Sequence, residues 1–474
     1  MQGFHEPSGW FLREEARTPV SYLTGSGLGV HDTLKLRPQM PNNLLIWPNL
    51  QPTELMILLH ERMGGTWQGD LSVRRPSKLY IPMFGPTCRV MLKFVGPKIV
   101  AIEPGEAFDT TQWEQISSEI ENSVLRGPTR VGREYSFSSR RVTGSWRGRH
   151  SGVQILPPPS NAPHPTIQPA DYPFILEFPL MNTSIDQLTN HRRIRKHRDL
   201  TLLLNILLFG GAKLMGLRPP HVWVLDLEDL GRNSEWVPQG FRAPLGPAII
   251  DSLSAPAADQ LEEVAPVQYD EVVVSDELRV PSDLDKSICL YEALSGLDRE
   301  KFDRAAFWFS TSSHMWDISI SASFAALAFA IESMTTGSNV HEVQCHACGS
   351  PIESGPTKLF KNFLAAYAPG ASLARDRKDM YSLRSDVVHG EHLVELDREI
   401  PIVGAWTPPG FKELEQYRAM WQLTRTALRN WLKNRNLYLQ QARKVCAYFQ
   451  WISRGRPLWE ADIDWAFAEQ EFPA

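Results

Sequence analysis

Cysteine is scarce: Cys88, Cys289, Cys345, Cys348 and Cys446 are the five in 474 residues. So few and so scattered a set does not build the disulfide framework of a small secreted protein, and a reducing, cytoplasmic setting is expected. Long apolar runs are missing too. The most apolar stretch without a charge, Ile318–Ile331, is fourteen residues long and contains three serines. A bilayer needs roughly twenty apolar residues, so a buried core helix is expected there, with no membrane partner. The first twenty residues mix charge and proline where a secretory leader needs a continuous apolar segment. Neither sign of charge dominates: 49 basic residues face 54 acidic ones, a formal net charge of −5, so any nucleic-acid contact has to come from local basic patches. No G-x-x-x-x-G-K-[ST] loop, G-x-S-x-G elbow or H-E-x-x-H helix occurs, and Gly25–Gly29 lacks dinucleotide-fingerprint spacing. Nucleoside triphosphatase, α/β-hydrolase and zincin chemistries lose their usual signatures. Solenoid-period repeats and sustained heptads are absent as well.

What is there reads as a folded, soluble chain: 42% apolar and 22% charged, long enough for two or three domains. Up to about residue 280 the pattern changes often. Leu79–Phe84, Cys88–Val95 and Lys98–Glu103 read as strands separated by Gly85-Pro86 and Gly96-Pro97, while Thr53–Met63 and the spacing of Trp113, Ile116, Ile120 and Val124 predict helices. Residues 1–280 are therefore expected to be mixed α and β, with a sub-boundary near 156–170, where Leu156–Pro165 is too rich in proline to continue a helix or a central strand. From 281 to 436 the spacing is helical almost throughout: Arg299–Trp316, Ile318–Met334, Thr357–Tyr367, Leu373–Val388 and a stripe of Leu414, Tyr417, Trp421, Leu428 and Trp431. An aromatic-rich extension, 437–474, is expected to dock on the body or on a second subunit. The predicted class is α+β, a mixed region followed by an all-α bundle.

Two basic segments stand out. Seven arginines, including Arg140, Arg141 and Arg147, lie between Arg126 and His150 against a single acid, Glu134. Either a flexible basic loop or an element that grips RNA by phosphate contact and base stacking gives this pattern. The second segment holds Arg192, Arg193, Arg195, Lys196 and Arg198 in the first half of a helix expected to run from about Ile185 to the Gly210-Gly211 pair. A solvated helix end and a surface for RNA or an acidic partner both fit it.

Tyr381–Gly390 contains Arg384 and His389 in an Arg-x4-His arrangement at the end of a predicted helix. Five steps along a helix separate the two by roughly 140° around the axis and about 7.5 Å along it, so one straight helix does not bring them together. A two-fold pairing with the same helix of a second copy would gather two arginines and two histidines into one cleft. Histidine moves protons near neutrality and a guanidinium stabilises a crowded phosphorane, the pair that RNA cleavage through the 2′-hydroxyl requires without a metal. An arginine in a helix ion pair beside a histidine at the helix C-terminus gives the same spacing with no chemistry at all.

The region from about 285 to 435 resembles the HEPN family, in particular its Apea-like domains: a helix pair of the type Phe302–Met334 precedes a helix ending in a segment like Tyr381–Gly390. The resemblance implies an all-α HEPN domain acting as a metal-independent endoribonuclease, with Arg384 and His389 as the catalytic pair. It further implies supporting roles for Glu332, Ser385 and Asp386, Ser385 standing where the family usually has Asn, Asp or His. HEPN ribonucleases work as dimers, leave cyclic phosphate ends, and serve in toxin–antitoxin, abortive-infection and anti-phage systems. Expected partners are thus RNA, tRNA among the candidates, a second copy or higher homo-oligomer, and a phage-derived trigger or an antitoxin. A non-catalytic RNA-binding or dimerising scaffold is the alternative, because some members of the family have lost cleavage.

Between those helices His341, Cys345, His346, Cys348 and Gly349 form a Cys-x-x-Cys-Gly turn of the zinc-knuckle type. Cys345 and Cys348 supply half of a tetrahedral site, and two further ligands would complete it. A structural zinc, a pair of reduced thiols and a redox pair remain open; none of them is needed for cleavage.

Overall fold

The computed structural model describes residues 47, 50–63, 79–83, 90–95, 98–104, 108–159, 172–208, 223–227, 232–237, 240–242, 245–266, 276–316, 318–335, 343–344, 351–352, 356–369, 373–388, 393–398 and 408–434. They build an α+β fold in two compact units: residues 1–46 with 68–108, and residues 47–67 with 109–474. Among the described residues no helix is long and apolar enough to cross a membrane.

In the first unit β1 (Leu79–Met83), β2 (Val90–Val95) and β3 (Lys98–Pro104) form an antiparallel meander in chain order. This is the small sheet that the glycine–proline punctuation predicts. Leu92 pairs with Ile102 across β2 and β3, and both are fully buried, as expected where side chains alternate between two faces.

The second unit begins with α1 (Pro52–Met63) and α2 (Thr110–Glu119), the latter extended by a π-turn over Ile120–Val124. Asp109 caps α2, its carboxylate accepting from the Thr111 and Gln112 amides at 2.9 and 3.2 Å. Trp113, Ile116, Ile120 and Val124 are all buried, as their spacing predicts. A five-stranded antiparallel sheet follows, built on β4 (Thr129–Ser138), β5 (Trp146–Arg147), β6 (Gln154–Leu156) and β7 (Tyr172–Met181). A separate sheet holds β8 (Trp223–Leu227), β9 (Arg232–Val237) and β10 (Gly240–Arg242), while β11 (Ile249–Ile250) returns to the larger one in the order β11-β4-β7-β6-β5.

The start of the arginine-rich segment is thus a long strand within the sheet rather than a flexible loop. One of its cations, Arg133, is taken up inside the fold. Glu177 on β7 is fully buried and accepts from Arg133 Nε at 2.9 Å, from the Ser254 amide at 2.9 Å and from Ser254 Oγ at 2.6 Å, donors that replace the water a buried carboxylate has lost. Phe174, Leu176 and Phe178 point to one side of β7 and enter the main core. Ile175 joins Tyr135, Phe137 and Leu156 in a smaller cluster.

Helix α3 (Asp186–Leu207) lies against β4 and β7, its second half inserting Leu200, Leu202, Leu203, Leu204, Ile206 and Leu207 into the main core. Short parallel strands β12 (Glu263–Val264) and β13 (Val280–Pro281) precede α4 (Leu284–Glu292), α5 (Gly296–Met315) and α6 (Ile320–Thr335). Asp285 on α4 holds the turn at 148–151 by accepting from the His150 and Ser151 amides at 2.8 and 2.9 Å. Gly148 is required there, since a Cβ would sit 2.5 Å from Asp285 Oδ1. Helices α5 and α6 pack along each other, the pairing expected from their small and apolar faces. An antiparallel pair β14 (Val343–Gln344) and β15 (Pro351–Ile352) leads to α7 (Pro356–Tyr367), α8 (Ala374–Val388), α9 (Glu395–Arg398) and α10 (Pro408–Lys433). Tyr417, Leu428 and Trp431 of α10 are buried as their stripe predicts, and Trp431 stacks on Phe302 of α5 at 5.7 Å. The core runs without a break from the sheet through α3 into these helices, across position 280. The extension 437–474 lies outside the described residues.

A half-buried polar seam joins α3, α4 and α5. Lys196 meets Glu292 at 2.5 Å, and Arg299 reaches Asp199 at 3.5 Å and Asp303 at 3.2 Å, its guanidinium lying 3.6 Å from the centre of the Tyr291 ring. Burial, then the Asp303 charge, pushes the Asp199 carboxyl up from 3.8 to about 6, against Arg299, Arg195 and Lys196. On the other side of α3, His197 shares a 2.8 Å hydrogen bond with Ser136 Oγ, and burial followed by the Arg193 charge pulls it down from 6.5 to about 4. These two groups act on stability with opposite signs. Folded Asp199 holds its proton more tightly than the unfolded chain does, so its contribution falls as pH rises from about 4 to 6; folded His197 holds its proton less tightly, so its contribution falls as pH drops from 6.5 to about 4. Asp199→Asn is therefore expected to steepen the acid loss of stability between pH 6.5 and 4, and His197→Gln to flatten it. Each changes the pH-dependent part by about 1–3 kcal/mol in denaturant unfolding; parallel profiles for wild type and both variants would count against the burial described.

Candidate functional site

The candidate site lies on α8. Its inward face repeats every three or four residues, and each step meets a different neighbour. Arg377 donates to the Ala368 carbonyl beyond α7 at 2.7 Å, and Met380 is buried in the main core. Tyr381 packs edge-on against Phe360 of α7 at 6.0 Å, with the Lys361 ammonium 4.3 Å from its ring centre. One turn on, Arg384 turns to α6: its Nε donates to Glu332 Oε1 at 2.8 Å, and Nη2 reaches the same oxygen. The Arg384 side chain is largely buried, that of Glu332 less so. A carboxylate from a neighbouring helix therefore fixes the direction of the guanidinium, whose other N–H groups can meet an anion.

Sequence reasoning named Arg384 and Glu332, and the structure brings them together although 52 residues separate them. Ser385 and Asp386 lie within α8 by backbone. His389 follows the last residue of that helix and lies outside the described residues, as do Cys345, Cys348, His341 and His346. The strands β14 and β15 pair Gln344 with Pro351 and so bring together the two ends of the segment that carries both cysteines.

The proposed RNA-binding cations fare differently from one another. Arg192 is bonded through Nε to Glu54 of α1 at 2.7 Å and through Nη1 to the Val124 carbonyl at 2.9 Å; Arg193 pairs with Glu134 of β4, and Lys196 with Glu292 of α4. The reading of these three as a solvent-facing cationic surface is corrected: the helix packs with that half against acids of three other elements, and its charges are neutralised inside the fold. Arg195 stays more open, 3.8 Å from Asp199, and Arg198 lies 5.8 Å from the Phe307 ring centre. In the other segment Arg147 donates to Gln154 and to the Ser254 carbonyl, Arg141 is exposed 5.7 Å from the Tyr172 ring centre, and Arg140 is half-buried. Sequence reasoning missed Lys361 and Tyr381 beside Arg384, and also two buried arginines on α10, Arg425 and Arg429. Their spacing of four on the same helical face as Trp421 and Leu428 was the signal available for them.

No protein-family model matches the chain, and no curated protein or solved structure matches it either.

The Arg384–Glu332 contact is half-buried and carries a charge-assisted hydrogen bond, so it should stabilise more than an exposed pair does. A double-mutant cycle of Arg384→Met and Glu332→Gln is expected to return a coupling of about 1 kcal/mol in denaturant unfolding. Additive effects of the two changes would show that α6 does not hold the arginine.

Proposed function

We propose that the chain is a metal-independent endoribonuclease of the HEPN type, working as a homodimer or larger homo-oligomer in the cytoplasm, in abortive defence against phage. The observation that carries the reading is the guanidinium of Arg384, held by Glu332 of α6 near the end of the helix that precedes His389. An arginine so held has a fixed direction before substrate arrives, which is what stabilising a transition state asks of it. In this reading the RNA 2′-hydroxyl attacks the adjacent phosphorus, His389 transfers the proton, Arg384 stabilises the charge on the non-bridging oxygens, and the 5′-oxygen leaves. The products carry a 2′,3′-cyclic phosphate and a 5′-hydroxyl. Ser385 and Asp386 support the site from the same turn, and the two-fold partner supplies the second Arg–His pair. Arg140 and Arg141 just after β4 and Arg147 on β5, with Arg195 and Arg198 on α3, remain the candidates for phosphate contact. Cys345 and Cys348 would hold a structural zinc between β14 and β15, completed by two further ligands, with no part in cleavage. A phage-derived trigger or an antitoxin would control activity.

A second reading is a non-catalytic scaffold that binds RNA or only dimerises; the internal pairing of Arg192, Arg193 and Lys196, which removes part of the cationic surface, favours its dimerising form. Incubation with total cellular RNA separates the two. Wild type is expected to cleave, and Arg384→Ala and His389→Ala to lose at least about 100-fold in rate while still unfolding cooperatively, Arg384→Ala with the loss of about 1 kcal/mol that its pair with Glu332 contributes; Glu332→Gln is expected to lose less activity. Undiminished cleavage in both alanine variants would remove the assignment, and salt-sensitive binding without cleavage by wild type would favour the scaffold.

A further inference from the structure

The face of α10 turned toward α3 and α4 carries cations at successive turns: Arg425, Arg429 and Lys433. Arg425 and Arg429 are only 5% and 6% exposed. Arg425 uses Nε and Nη2 on the Ile206 and Leu207 carbonyls at the end of α3, at 2.7 and 3.0 Å. Lys433 pairs with Asp283, the residue before α4, and Asp283 is the acid that bears on Arg429. Lys286 of α4 adds a further positive charge beside Lys433. Arg429 itself makes no ion pair among the described residues, and its buried Nε has no hydrogen-bond partner. Two neutral groups nearby in the chain are also buried without partners: Asn205 Nδ2, one residue before the Ile206 carbonyl, and Ser287 Oγ, one turn beyond Asp283. Burial, then the Arg429 charge, pulls the Arg425 guanidinium down to about 9; burial lowers Arg429 too, against Asp283.

A buried guanidinium N–H without a partner is costly, and such donors are rare in folded proteins unless water or an ion meets them. Here the donors lie on α10 and on the two helices packed against it, and the charge left over on α10 is positive. Guanidiniums four residues apart, about 6 Å along the helix, suit a tetrahedral oxyanion with several acceptor oxygens and more than one negative charge, which a carboxylate does not offer. We propose that α3, α4 and α10 form a binding site for a phosphate group, either free or borne by a small nucleotide, with Arg429 as its principal donor and Asn205 and Ser287 as neutral ones. The site is separate from Arg384 and does not depend on the nuclease reading.

The test is thermal unfolding of the full chain in inorganic phosphate, in AMP, and in sodium chloride of matched ionic strength. Wild type is expected to gain about 2 °C or more in phosphate over chloride. Arg429→Met should lose that gain and, without phosphate, unfold no earlier than wild type, because the variant removes a buried charge lacking its partner. Arg384→Ala should keep the gain. A larger gain with AMP than with phosphate assigns the group to a nucleotide; an equal or smaller one assigns it to free phosphate. No phosphate-specific gain in wild type, or a full gain in Arg429→Met, overturns the proposal. If Arg429→Met does not fold, calorimetric titration of wild type with inorganic phosphate decides, and the absence of saturable heat overturns it.

Discussion

Helix α3 has to satisfy two demands at once, and the second unit is arranged around that constraint. Its leucine half is an obligatory part of the core, so its cationic half cannot swing out into water. Acids from α1, β4 and α4 come to it instead: Glu54, Glu134 and Glu292. Removing one partner of such a pair leaves a desolvated charge behind, whereas removing an exposed cation costs little. The polar half of α3 thus meets the sheet and the helices just as the apolar half does. Because the core is continuous through it, the sheet and the helical bundle share one packing problem.

Three arginine-bearing helix faces in this unit are treated differently, and the differences separate structure from candidate chemistry. On α3 each of Arg192 and Arg193 has a carboxylate from another element. On α8 Arg384 has one carboxylate oxygen that engages only part of its fork. On α10 Arg429 lies beside an acid already taken by Lys433. A cation held from a single side retains donors for something else.

Local pattern made much of the architecture legible. The burial of Trp113, Ile116, Ile120 and Val124, the pairing of α5 with α6, and the β1–β3 meander all follow from spacing and from glycine–proline punctuation. What local pattern could not supply is pairing across distance. Five cations within residues 192–198 look alike in sequence, and only the fold shows that Arg192 meets an acid 138 residues earlier. The strand over Thr129–Ser138 looked like a basic loop because its arginines interrupt the apolar alternation, yet Arg133 points to the buried Glu177. The apolar stripe along α10 did not include Arg425 and Arg429, and both are inside. At the candidate site the sequence reading named Glu332 and Arg384 separately, and their contact is the part that physical packing adds.

The most direct measurement of the central claim is the chemistry of the ends left when the purified full-length chain cuts RNA in the presence of EDTA. Transfer through the 2′-hydroxyl with an arginine–histidine pair predicts 2′,3′-cyclic phosphate and 5′-hydroxyl termini, formed at the same rate with and without the chelator. Ends bearing a 3′-hydroxyl and a 5′-phosphate, or cleavage that stops in EDTA and returns with magnesium, would contradict it.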